Sequence, residues 1–204
     1  GLKYLKLDGN VLSQVPEFPN NVATTLNQLW IADNKIEHLN ATVLSSLVAL
    51  QWLSMNDNLV AHVPNFYMPT LSTISLNGND ISNLSATLST MVPNLGRLEC
   101  SKNRLENMDF FGSSENVWMI WCHSNQISAF PDVTSSAATL NLMNLHGNKI
   151  SYIPAELLRP LVKLEQLQLS DNLLQGFPNI PELGSSLIKL QLNGNLMTIM
   201  PDLD

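Results

Sequence analysis

Apolar residues recur along this chain in units of 21 to 24 residues, a period much longer than that of a helix or a strand. In each unit they stand eight, five and three residues before an asparagine, and two and five residues after it. The asparagines that mark the units are Asn10, Asn34, Asn58, Asn79, Asn103, Asn125, Asn148, Asn172 and Asn195. A repeat of this length predicts a stack in which each unit buries its apolar face against the next.

The segment just before each asparagine predicts a very short strand. Leu167, Gln168 and Leu169, for example, alternate apolar and polar side chains, which buries one face of an extended chain. A strand this short is not stable by itself, so it must pair with the equivalent strands of neighbouring units. The sequence therefore predicts a sheet with one strand per unit.

The remainder of each unit predicts mostly extended chain that returns to the next strand. Proline follows the last apolar position in six units, and a helix does not continue through proline. Residues 42–50 and 85–91, TVLSSLVAL and SATLSTM, contain no proline and predict one or two helical turns. The six prolines are Pro16, Pro64, Pro131, Pro154, Pro178 and Pro201.

The units resemble leucine-rich repeats, L-x-x-L-x-L-x-x-N-x-L, over essentially the whole chain. The resemblance implies an α/β leucine-rich-repeat solenoid, a curved horseshoe with a parallel β-sheet on its concave face and extended, 3-10 or short helical segments on its convex side. It also implies an asparagine ladder, because buried turns need the donor and acceptor that an amide supplies. Residues 1–204 are expected to be one domain of about nine repeats, an internal piece of a longer solenoid without terminal caps, and its subfamily stays open.

Residues 118–125, WMIWCHSN, are the most chemically varied stretch of the chain. The repeat phase points Ile120 and Cys122 into the core and places the neighbouring side chains on the opposite, outward face. Cys122 and His123 therefore do not face each other, which argues against a cysteine–histidine nucleophile pair.

All four tryptophans of the chain fall on this outward face. Tryptophan and tyrosine dominate binding hot spots, although cross-strand aromatic packing would also favour this placement. Two aromatic clusters are predicted, one near Trp52 and one near Trp121 and Leu142, with Lys102 among the charged residues between them. The ligand-binding candidates are Tyr4, Trp30, Trp52, Arg97, Glu99, Trp118, Met119, Trp121, His123 and His146.

Two further pairs occupy matching positions in neighbouring units. The backbones of His123 and His146 should be about 4.8 Å apart, but zinc needs a third protein ligand that their column does not supply. We expect an ordinary polar rim there, with no metal and no cofactor. Cys100 and Cys122 are adjacent inward positions, close enough for a disulfide, and two free thiols packed in the core are the favoured expectation.

Charge and motifs narrow the function. The chain has 10 basic and 17 acidic residues, a formal net charge of −7, which disfavours nucleic acid as the main partner. No apolar run is long enough to insert into a membrane within this segment. Motifs typical of hydrolases, metalloproteases, phosphate loops and dinucleotide-binding folds are missing, so the sequence predicts a protein that is not an enzyme.

The triplets that begin at Asn40 and Asn83 are glycosylation sequons on the return side of their units. They predict an extracellular or cell-surface location. The expected function is a recognition module, part of a secreted or cell-surface receptor or adhesion protein, that binds a protein or glycan ligand in the concave sheet. The alternative is a structural component that self-associates and packs laterally into an extracellular matrix, cell-wall or filament lattice.

Overall fold

The computed structural model describes residues 1–111 and 113–199. In these residues nine three-residue strands form one parallel sheet in chain order. This confirms the prediction of one strand per repeat. The strands are β1 (Tyr4–Lys6), β2 (Gln28–Trp30), β3 (Trp52–Ser54), β4 (Thr73–Ser75), β5 (Arg97–Glu99), β6 (Met119–Trp121), β7 (Leu142–Asn144), β8 (Gln166–Gln168) and β9 (Lys189–Gln191).

The strand register separates a buried face from an outward face. Central strand residues pair with one another, as Leu29 does with Leu53 and Leu98 does with Ile120. Leu29, Leu98 and Ile120 are fully buried in the leucine-rich core. The flanking residues of each strand project to the opposite side, because successive side chains alternate across a sheet. The outward face is therefore set by the same apolar spacing that builds the core.

The convex side carries short helical segments. The helical turns predicted in residues 42–50 and 85–91 are confirmed by the helices Ala41–Ser46 and Leu88–Met91. The other segments were not predicted from the sequence. One of them begins directly after Pro154, because proline fits the start of a helix, where no amide proton is needed. Pro201 lies outside the described residues. The helices are α1 (Asn20–Ala23), α2 (Ala41–Ser46), α3 (Leu88–Met91), α4 (Ala155–Leu158) and α5 (Pro181–Gly184), with 3-10 turns at Asp109–Phe111 and Thr134–Ser136.

The repeated asparagines bind the backbone of two repeats at once. Nδ2 of Asn103 lies 2.9 Å from the Leu76 carbonyl oxygen of the preceding repeat and 3.0 Å from the Cys100 carbonyl oxygen of its own. Oδ1 of Asn103 accepts a 3.0 Å hydrogen bond from the Ile81 amide. The same arrangement recurs from the second repeat to the ninth, so each amide joins its repeat to the one before.

Cys100 and Cys122 form a disulfide on the buried side of the sheet, directly after β5 and β6. This corrects the expectation of two free thiols. The repeat phase placed both residues correctly at adjacent inward positions, and their Cα atoms are 4.8 Å apart, within the range that a disulfide spans. Small thiols and a disulfide fill a core column almost equally well, so packing arguments alone did not distinguish them.

Candidate binding face of the sheet

Three tryptophans and an arginine form a continuous row across the outward face. The ring centroids of Trp30 and Trp52 are 6.5 Å apart. Cζ of Arg97 lies 5.3 Å from the Trp52 ring centroid and 5.7 Å from that of Trp121. We call these four residues the aromatic strip. Lys6 extends it at one end, with Nζ 4.7 Å from the Trp30 centroid, so cations and indole faces alternate along most of the strip.

The aromatic strip replaces the two separate clusters that the sequence predicted. Trp52 in β3 and Arg97 in β5 both align with Thr73 in the strand between them. Thr73 is small and buried, and the arginine side chain reaches the indole across this position. The charged centre therefore joins the two aromatic groups instead of separating them.

Glu99 holds Arg97 in this position. Its Oε1 accepts a 2.7 Å hydrogen bond from Arg97 Nε and also contacts Arg97 Nη2. Its Oε2 accepts from Ser75 Oγ at 2.5 Å and from Asn77 Nδ2 at 3.1 Å. A buried carboxylate is stable only when such partners satisfy it. Glu99 is 6% exposed, so it orients Arg97 rather than offering a contact to a ligand.

Ser75 and Asn77 were missed by the sequence analysis. They are short polar residues at outward positions of the fourth repeat, one repeat before Glu99. The signal that would have found them is the strand register, which aligns Ser75 with Glu99.

The indole N–H groups of Trp52 and Trp121 are buried and have no hydrogen-bond acceptor among the described residues. An unsatisfied buried donor costs about 1–3 kcal/mol. Both side chains nevertheless remain partly exposed on the outward face. A polar cost of this kind on a partly exposed surface is more typical of a functional site than of a surface shaped for stability alone.

The remaining aromatic candidates lie beside the aromatic strip. Met119 aligns with Arg97 in the strand register, but it is 6% exposed, which leaves little of its side chain for a ligand. Trp118 precedes β6 and packs on the Gly96 backbone: a β-carbon at residue 96 would lie 2.9 Å from its Nε1. Trp118 is also 46% exposed, so its indole packs on the neighbouring repeat and is still accessible to a ligand. Tyr4 is 60% exposed on β1.

His123 and His146 meet on the outward side, just past the ends of β6 and β7, with ring centroids 6.3 Å apart. His146 Nδ1 lies 3.3 Å from Asp171 Oδ2, so the structure supplies the nearby carboxylate that the histidine column appeared to lack. The pKa of His123 lies below its ordinary value. Burial of the ring is the largest cause, followed by the neighbouring His146 and then by Lys102. Within residues 1–111 and 113–199, no three histidine, cysteine or acidic side chains are grouped as metal ligands.

One strand per repeat, a buried leucine column and an asparagine ladder define the class: the chain belongs to the leucine-rich-repeat proteins. No family model matches it. It is 30% identical to keratocan of Danio rerio over 97% of the chain and 59% of that protein. It is also 30% identical to the leucine-rich repeat-containing G-protein coupled receptor 5 of Rattus norvegicus, over 83% of the chain and 19% of the receptor. The chain thus spans about three fifths of the keratocan it matches.

Solved structures agree with the fold. The plant peptide hormone receptor RGFR1 in complex with RGF2 superimposes with a TM-score of 0.75 at 25% identity, over 95% of this chain and 32% of the receptor. The predicted extracellular or cell-surface location is confirmed by the relatives, and a core disulfide suits an oxidising compartment. Across the described residues, no helix has the length and apolar character needed to span a membrane.

Proposed function

We propose that this chain is a non-enzymatic recognition module that binds a protein partner through the aromatic strip. One observation carries the proposal: partly exposed indoles and a guanidinium stack in a row outside the leucine core. Tryptophan and arginine are among the residues most enriched at binding hot spots. The whole module would then be part of a secreted or cell-surface receptor or adhesion protein.

The charges of this face favour a protein over a nucleic acid. The Arg97 guanidinium is already paired with Glu99, and the Lys6 ammonium lies over Trp30. Asp33 and Asp57 are exposed in the turns that follow β2 and β3. A phosphate backbone would need a stripe of free cations, whereas mixed charge around aromatic anchors is typical of protein interfaces.

The arginine of the aromatic strip is also held in place by the protein itself. Hydrogen bonds from Arg97, Ser75 and Asn77 converge on Glu99 and hold the guanidinium in place. Binding then loses little side-chain entropy, which raises affinity for a given contact area. A small change of shape on binding is expected.

The proposal is tested with an array of purified extracellular proteins and a parallel glycan array. Trp52→Ala should weaken binding to a protein on the array about 10- to 100-fold, because truncating a hot-spot tryptophan costs about 2 kcal/mol or more. Tyr152→Ala is the matched control: Tyr152 is 70% exposed but lies outside the sheet, and its loss should change affinity less than twofold.

Two results would reject the proposal. Equal binding by wild type and Trp52→Ala would show that the aromatic strip is not the contact surface. Binding to glycans alone would assign a different class of partner to the same face.

A further inference from the structure

We propose that His123 and His146 form a binding site for one zinc ion, or for a similar borderline divalent ion such as Cu²⁺ or Ni²⁺. The site lies at the rim of the outward face, and the proposal does not depend on the aromatic strip binding a partner. It follows from the spacing of the two rings, from the contacts of their Nδ1 atoms and from the local charge.

The two rings are near the spacing that a shared metal requires. Zinc bonds imidazole nitrogen at about 2.0–2.1 Å, which places the ion about 3.2 Å from the centroid of each ring it binds. At the tetrahedral angle that zinc prefers, two rings on one ion then have centroids about 5.2 Å apart. The observed separation is 6.3 Å, with the ring planes inclined at 46°. The rings must therefore approach each other by about 1 Å to share one ion.

Each imidazole has a polar partner at Nδ1. His146 Nδ1 lies 3.2 Å from the Ser170 carbonyl oxygen and 3.3 Å from Asp171 Oδ2. His123 Nδ1 lies 3.1 Å from Ser124 Oγ. The Ser170 carbonyl and the Asp171 carboxylate only accept, so they favour a proton on His146 Nδ1 and leave its Nε2 lone pair for a metal, as outer-shell groups do for zinc-binding histidines. The Ser124 hydroxyl can donate or accept, so it does not select a tautomer of His123.

The charges around the pair are compatible with a cation. A metal binds the lone pair of a ring nitrogen, so the charges beside the two rings bear on whether a cation is favoured there. Lys102 on one side repels a cation, and Asp171 on the other attracts it. Lys102 is exposed, so solvent and salt screen its repulsion.

Two nitrogen ligands define the class of metal and the strength of the site. Imidazole suits Zn²⁺, Cu²⁺ and Ni²⁺, whereas Mg²⁺ prefers oxygen ligands. Positions left open on the ion are available to water or to a donor atom of a bound molecule, as in zinc sites with incomplete protein coordination. The affinity should therefore be lower than that of a site with three or four protein ligands.

Zinc chloride is titrated into the whole chain at pH 7.5, with calorimetry and with ¹⁵N NMR of the imidazoles. One ion per chain is expected, and both Nε2 signals should shift, whereas magnesium chloride should shift neither. His146→Ala should weaken zinc binding at least tenfold, and Asp171→Asn about tenfold, the effect typical of an outer-shell carboxylate.

His62→Ala is the matched control, since His38 and His62 also occupy equivalent positions in neighbouring repeats and are exposed. It should leave the affinity unchanged. The proposal is overturned if no saturable zinc binding occurs or if His146→Ala binds zinc as wild type does. It is also overturned if the imidazole signals do not shift with zinc chloride but do shift with sodium sulfate, because that result would indicate an anion site. The imidazole signals of the unmodified chain give this answer even where a variant does not fold.

Discussion

At the scale of single residues, one side-chain type has different consequences at different positions of the stack. Asn103 is buried and binds backbone groups of its own repeat and of the preceding one. Asn10 occupies the same position in the first repeat, but it is exposed and its amide binds only its own repeat. The energetic weight of a repeated asparagine therefore depends on the neighbouring repeat.

Asn103→Ala should lower the free energy of unfolding by about 3 kcal/mol, because it leaves buried backbone donors and acceptors unpaired. Asn10→Ala should cost less than about 1 kcal/mol, since water replaces its partners. Urea-induced unfolding followed by circular dichroism measures both. Equal losses in the two variants would contradict a role for the ladder in joining repeats.

At the scale of elements, the turn after each strand explains a residue preference that the sequence analysis did not use. The residue just before every ladder asparagine has a positive φ, between 52° and 70°. Glycine adopts this conformation readily, and the aspartates, lysine and serine found elsewhere in the column do so at a cost of about 1–2 kcal/mol each. These residues are Gly9, Asp33, Asp57, Gly78, Lys102, Ser124, Gly147, Asp171 and Gly194.

Gly78→Ala should lower the stability by about 1–2 kcal/mol, because its φ is +65° and alanine is strained there. Its β-carbon would also lie 2.2 Å from Asp57 Oδ1, which would have to move. Gly176→Ala is the control: its β-carbon would meet no atom within 4 Å, so stability should stay the same or rise by about 0.5 kcal/mol. Thermal unfolding compares the two, and an equal response would argue against strain in the turn.

At the scale of the whole molecule, the stack is cross-linked near its middle. The disulfide joins the repeats that carry β5 and β6, which are also the strands that hold Arg97 and Trp121. It closes a loop of 22 residues in the unfolded chain and so restricts the unfolded state. The covalent link and the proposed contact surface therefore share the same two strands.

Cys100→Ala combined with Cys122→Ala should lower the free energy of unfolding by about 3 kcal/mol, the amount expected for a loop of this length. Guanidinium unfolding of wild type with and without reductant provides the comparison. If reductant leaves the wild-type midpoint unchanged, the cross-link does not stabilise the fold.

Glycosylation also acts on the whole molecule, and we propose it at Asn40 and Asn83, both exposed. Asn40 Oδ1 caps α2 by accepting from the Thr42 amide, so replacing Asn40 would damage the helix as well as the sequon. Thr42→Ala and Ser85→Ala remove the sequons and keep both asparagines. Each should lower the intact mass of chain secreted from eukaryotic cells by one glycan, and an unchanged mass would reject that site.

The sequence alone determined the repeat length, the strand positions, the buried face and the class of protein. These features are encoded locally, because the apolar spacing of each unit fixes which side chains point inward whatever the neighbouring units contain. The aromatic strip, the burial of Glu99, the disulfide and the contact of His146 with Asp171 were decided only by the tertiary structure. Each depends on how far a side chain reaches toward another repeat, and that distance is set by the stacking and not by the spacing along the chain.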